Sequence, residues 1–178
     1  MLYWSEYKGH SEIKESKNTK IDSNIYTFDI ETTSYIVLNG KQHNTIDYLS
    51  FDKKTQEECQ FYGTMYIWQF GINETVYFGR TWEEFKLFLE RIEEWGSKNK
   101  KIVFVHNLSW EFQFLRNVFN FKSVYARKSH KVMKCELQDL NFEFRCTLFM
   151  TNAPLKKLPK IYNLDVEKLV RWFRLFKN

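Results

Sequence analysis

The chain has 178 residues, 43% of them apolar and 19% aromatic, with only six glycines and two prolines. That composition supplies one domain with a true core and excludes a disordered linker or a fibrous repeat. Lys and Arg exceed Asp and Glu by 27 to 22, a formal charge of +5, which suits a polyanionic partner and equally a solvated lysine-rich surface. Cys59, Cys135 and Cys146 are odd in number and widely spaced, so they fit neither a disulfide framework nor a zinc site. The last two lie in apolar stretches and read as small core residues. The first twenty residues lack the apolar segment of a signal peptide, and no apolar run reaches membrane-spanning length, so a cytoplasmic protein with no membrane contact is expected.

In chain order, residues 1–23 are polar and lysine-rich and read as a loose arm. Ile25 to Glu31 alternates as a strand. Tyr35–Leu38 follows as a short strand ahead of an Asn39-Gly40 turn. Gly63 to Gly79 reads as a hairpin, with strand-like Met65–Phe70 and Thr75–Phe78 joined at Asn73-Glu74. Thr81-Trp82-Glu83-Glu84 is a capping box. It opens a helix whose apolar stripe is Phe85, Phe88, Leu89 and Ile92, with Gly96 as its stop. Lys101–Val105 is a compact strand suited to burial on both faces. Ser109 is expected to cap a second helix reaching Phe119. Val124–Arg127, Val132–Leu137 and Phe142–Cys146 read as further strands. Residues 153–162 read as a third helix, with Pro154 in its first turn and Pro159 ending or kinking it. The order of elements implies a mixed α/β sheet flanked by helices. Phe61, Tyr62 and Trp68 are expected in the core.

Two places carry chemistry. Asp29 and Glu31, two apart on a strand, share a face opposite Phe28 and Ile30. Such a pair can hold a divalent cation through hard oxygen ligands, although a half-buried strand produces the same alternation. Glu111 falls in the first turn of a helix that follows a central strand. Ligands of α/β sheets gather at such carboxyl ends, although acids are common in first turns on dipole grounds alone. A third stretch, Tyr125 to Lys134, mixes Arg127, Lys128 and Lys131 with apolar residues. It suits single-stranded nucleic acid or a plain solvated hairpin.

Taken together, Phe28-Asp29-Ile30-Glu31-Thr32 and, about eighty residues on, Asn107-Leu108-Ser109-Trp110-Glu111 resemble the Exo I and Exo II motifs of the 3′–5′ exonuclease domain of family B DNA polymerases. The resemblance is nearest to the protein-primed polymerases of bacteriophages and mobile elements. It extends through Phe144-Arg145-Cys146-Thr147 and Leu155 to Leu169, covering residues 24–170, with 171–178 as a tail outside the family pattern. Glu111 stands where most of that family carries Asp.

The resemblance implies a ribonuclease-H-like (DnaQ-like) exonuclease fold and two Mg2+ or Mn2+ ions held by Asp29, Glu31 and Glu111. It also implies a single-stranded DNA 3′ end bound by Asn107 and Trp110, with Arg127, Lys128 and Lys131 along the strand. Partners of the family type are a terminal protein or a polymerase part. The family's third motif, a Tyr and an Asp four residues later, is absent: Tyr162 is followed by Val166. The fold is therefore expected to be incomplete at its C-terminus and the activity weak or lost, with metal and DNA binding retained. Dropping one base from A/T-rich codons for the tail, with AGG for Arg171, gives Gly-Gly-Leu-Asp-Tyr-Ser-Lys, which resembles what the family has next. A frameshift truncating a longer polymerase is the expectation that follows. The alternative is a non-catalytic nuclease-fold module that grips single-stranded DNA or a protein.

Overall fold

The computed structural model describes residues 1–10, 21–96 and 98–165. The sequence expectations for residues 11–20, 166–170 and the 171–178 tail fall outside these. Among the described residues, β1 (Leu2–Tyr3), β2 (Tyr26–Leu38), β4 (Gln60–Ile72), β5 (Thr75–Gly79), β6 (Lys101–Val105), β7 (Phe121–Ala126), β8 (Val132–Leu137) and β9 (Phe142–Cys146) form one sheet. Its order is β1-β5-β4-β2-β6-β9-β8-β7, and β3 (Lys41–Asn44) pairs with the outer half of β2. The β2–β6 and β6–β9 pairs are parallel and the β2–β4 and β8–β9 pairs antiparallel, so the sheet is mixed, as expected. No described helix is long and apolar enough to cross a membrane.

The core lies between the sheet and α2 (Trp82–Trp95). Every second residue of β2 up to Ile30 is buried, and Phe28 stacks on Phe85 of α2 with centroids 4.7 Å apart. Trp68 is fully buried against Phe85 and Phe88, and its indole N–H donates to the Thr81 carbonyl at 2.9 Å. The capping box closes as read: the Glu84 N–H donates to Thr81 Oγ1 (3.2 Å) and the Thr81 N–H to Glu84 Oε2 (3.1 Å). Gly96 caps the other end, its N–H donating to the Ile92 carbonyl. Val103 and Val105 are fully buried and Ile102 nearly so, and Cys135 and Cys146 are core residues.

Several expectations are corrected. The first strand does not stop at Glu31 but runs unbroken through Tyr35–Leu38, and β4 starts at Gln60 rather than Met65. The two form one long ribbon interrupted by a bulge. Glu31 pairs with Ile67 and Thr32 with Met65, leaving Tyr66 as the extra residue. A bulge shifts the alternation by one. In β4, Trp68, Phe70 and Ile72 face the core on one side of it, and Met65 on the other. Beyond it the ribbon leaves the core, so Phe61 (57% exposed) and Tyr62 (42%) are surface residues, whereas Trp68 is core as expected. Tyr62 stacks on its cross-strand neighbour Tyr35 and Phe61 packs against Tyr48. A short helix, α1 (Lys53–Glu58), leads into this ribbon, capped by Asp52.

Residues 2–7 are not a loose arm. Leu2 and Tyr3 extend the sheet beside β5, and Tyr7 is fully buried between the ring edges of Tyr77 and Phe88. The strand placed at Val124–Arg127 is β7, Phe121–Ala126. The third helix is divided. A 3-10 turn at Leu155–Lys157 precedes α4 (Leu158–Tyr162), where Pro159 sits in the first turn and starts the helix instead of ending it. Its missing N–H has no helical partner there to lose.

Candidate functional site

Two of the three sequence-predicted acids, Asp29 and Glu111, lie near one another, Asp29 on β2 level with the carboxyl end of β6 and Glu111 in the helix that follows β6. The parallel register sets Phe28 beside Val105, so Asp29 lies level with His106, the first residue beyond β6. Asp29 is exposed and Glu31 half-buried, both on the strand face opposite Phe28 and Ile30. The chain leaves β6 through Asn107, which adopts a left-handed backbone (φ 68°, ψ 48°) and forms the N-terminal boundary of α3 (Leu108–Leu115). Asn is among the few residues that accept this conformation readily. Ser109 is thus not the cap, and α3 ends four residues short of Phe119. The Asn107 carbonyl accepts from the Trp110 N–H at 2.9 Å.

This tight entry buries Glu111 in the first turn of α3. Glu111 is 3% exposed, and its Oε2 has no hydrogen-bond partner. Burial pushes its carboxyl up to about 8, and the negative charge of Asp29 adds to the rise against the opposing pull of its own backbone N–H. Two carboxylates from distant parts of the chain are therefore electrostatically coupled. Their state depends on what else is present: a proton on Glu111, or a cation between them.

Glu31 lies on the same strand face, beside the bulge. Among the described residues, however, no group of three or more His, Cys, Asp or Glu side chains is gathered so as to hold a metal ion. The structure thus couples Asp29 with Glu111 and does not complete a triad around them. Trp110 is half exposed and lies edge-on to Phe114 at 5.8 Å, while Asn107 is exposed beside it. Arg127, Lys128 and Lys131 occur together at the exposed β7–β8 connection, closed by hydrogen bonds from the Arg127 N–H to the Lys131 carbonyl and the Lys131 N–H to the Lys128 carbonyl. β7 lies four strands along the sheet from β2, on the order of 19 Å at the usual strand spacing. The basic tip and the acidic pair are therefore separate places.

One contributor was given no role in the sequence reading. Thr147, just past β9, donates its backbone N–H to the Val105 carbonyl (2.9 Å), and its hydroxyl is hydrogen-bonded to His106 Nδ1 (3.1 Å). It ties the ends of β6 and β9 together at His106. Its signals in the sequence were a hydroxyl residue following a short apolar strand and its place at the end of the matching Phe144–Thr147 stretch.

No family model and no curated protein matches the chain. Solved structures do. Phi29 DNA polymerase complexed with single-stranded DNA superposes on 82% of this chain with a TM-score of 0.50 at 16% identity. The fold is similar to that of part of this DNA polymerase. The ternary complex of phi29 DNA polymerase with primer-template DNA and incoming nucleotide covers 85% at a TM-score of 0.54 and 14% identity. The match takes in 24% and 25% of those chains, so this chain spans about a quarter of the polymerase it resembles.

Proposed function

We propose that the chain is a ribonuclease-H-like 3′–5′ exonuclease module of a protein-primed DNA polymerase, with Asp29 and Glu111 at its centre and a weakened site. The observation that carries the reading is the buried, partnerless Glu111 oxygen under the influence of Asp29. Burying a carboxylate without a partner costs several kcal/mol, and a site tolerates that cost where a ligand offsets it. The Exo-type motifs and the likeness to part of phi29 DNA polymerase support the same reading.

The donor set fits a divalent cation. Magnesium is commonly bound through one or two carboxylates, retained waters and the phosphates of a substrate. Asp29 and Glu111 would hold it, with Glu31 aligning a water on the same face; manganese would substitute. When bound, such ions make an attacking water more acidic and neutralise charge developing on the leaving 3′ oxygen. The chain's own residues do the rest. Asn107 and Trp110 border the acids and would orient the terminal nucleotide, and Trp110 offers a half-exposed ring for a base. The tip with Arg127, Lys128 and Lys131 would meet phosphates farther along the strand. A terminal protein or the remaining polymerase part would be the protein partner, in the cytoplasm of a host cell.

The lack of a gathered third carboxylate among the described residues favours a module that binds the 3′ end better than it cleaves it. The test is binding of a 5′-labelled single-stranded oligonucleotide with and without MgCl2. Magnesium is expected to tighten binding at least fivefold, and both Asp29→Ala and Glu111→Gln to remove that gain, with nucleotide release slow or undetectable. Binding indifferent to magnesium and to both substitutions overturns the nuclease reading. Rapid magnesium-dependent release of 3′ nucleotides, abolished in Asp29→Ala, overturns only the claim of a weakened site.

A further inference from the structure

Away from the acids, the seam between α2 and the C-terminal end of α3 opens into two adjoining cavities. The larger, about 500 Å³, is bounded by β4, Trp82 and Phe114; the smaller, about 140 Å³, by Phe119, Leu137 and Leu140. Lys86 and Val118 line both, so they form one groove. Met65, Trp82 and Phe114 in the larger cavity and Phe119, Leu137 and Leu140 in the smaller supply apolar surface among polar Thr64, Asn117 and Asn120, and the rim is charged with the sign opposite to the chain as a whole. Glu83, Glu90 and Asp139 are exposed along it against Lys86 alone, in a protein of net charge +5. Among the described residues none of these four takes part in a salt bridge.

An acidic rim repels phosphates, so the groove is not a continuation of a DNA track. Its length points to a polypeptide. Glu83 and Glu90 are seven residues apart on α2, about 10 Å along the axis, a span that two turns of a docked helix would cover with anchors at helical spacing.

We propose that this groove is a docking site for a basic amphipathic helix of a partner protein. A bulky apolar anchor would enter the Trp82–Phe114 cavity, a smaller one the Leu137–Leu140 cavity, and Lys or Arg side chains would meet Glu83, Glu90 and Asp139. The proposal stands independently of the nuclease reading, because it uses none of the residues assigned to metal or DNA.

The test uses the full chain and a labelled synthetic helical peptide of Leu and Lys with one Phe anchor, followed by fluorescence anisotropy. Glu83→Lys/Glu90→Lys is expected to weaken binding at least tenfold and Lys86→Glu to tighten it severalfold. Glu57→Lys, a charge reversal on α1 outside the groove, should leave it unchanged. The opposite signs keep the test informative even if one variant is poorly folded. The proposal fails if Glu57→Lys weakens binding as much as the groove pair, or if a Leu/Glu peptide binds equally well. It fails also if single-stranded DNA competes for the groove, which would assign the face to nucleic acid.

Discussion

Two buried charges at opposite ends of the same strand behave oppositely. At the start of β6, Lys101 has no exposed surface, yet its ammonium donates to Glu93 Oε2 (3.3 Å) and the Asn99 carbonyl (3.2 Å) and lies 5.4 Å from the centroid of the Phe142 ring. Glu93 is held in turn by the Asn141 amide at 2.6 Å. Past the other end of β6, Glu111 is equally hidden but has one oxygen with no partner, and Asp29 raises its proton affinity further. The satisfied charge fastens α2 to the sheet. The unsatisfied one has an oxygen left over, which the proposed function assigns to a ligand. Burial alone does not separate the two roles; the state of the partners does.

The sharpest way to break this contrast is to remove the satisfied charge. Lys101→Ala should cost about 2–4 kcal/mol in urea unfolding, since it empties a fully buried site and removes the ammonium's bonds to Glu93 and the Asn99 carbonyl. The opposite sign is expected at the other end. Glu111 holds a proton in the folded chain up to about pH 8, whereas its unfolded value is 4.5. Between those limits the folded state binds the extra proton, so stability falls as pH rises from about 4.5 to about 8 and then levels off. Glu111→Gln should flatten this slope and stabilise the magnesium-free protein by about 3 kcal/mol at pH 9, with little effect at pH 4. Magnesium should raise the melting temperature of the parent chain at pH 8 more than at pH 5, and should do nothing for the variant.

Asp29→Asn is a finer probe. Removing its charge should lower the Glu111 titration toward the ordinary carboxyl range and recover about 1 kcal/mol at pH 8, readable from the side-chain carboxyl resonance; an unmoved titration would mean that the two acids are not coupled. Smallest is Thr147→Val, expected to cost about 1 kcal/mol by deleting the hydroxyl bond to His106. It should also weaken the magnesium dependence of DNA binding, because the end of β6 that leads into α3 and Glu111 loses a tie.

Much of this was legible in the sequence, and for identifiable reasons. The α2 stripe, its capping box and the β6 run are local patterns, and local patterns survive folding. The nearness of Asp29 to Glu111 was expected only through the family resemblance, because it depends on the β2–β6 register, which residue type and spacing do not give. What could not be read was non-local or masked by composition. Leu2 and Tyr3 join the sheet through β5, more than seventy residues away. Met65 to Trp68 is an unbroken apolar and aromatic stretch in which no period reveals Tyr66 as the extra residue, and Phe61 and Tyr62, apolar by type, were misplaced inside. Asn107 in a left-handed turn looks the same in a sequence as Asn in any loop.

The bulge at Tyr66 also works as a seam. The inner part of the β2–β4 ribbon is bound by the ring contacts of Phe28 and Trp68 to α2, while the outer part with β3 answers to no such lattice. Because the pleat slips at that joint, the distal arm is free to lengthen, shorten or be exchanged over generations without moving the acids. The same arrangement makes Gly40, at the tip between β2 and β3, a suitable place to graft a reporter loop.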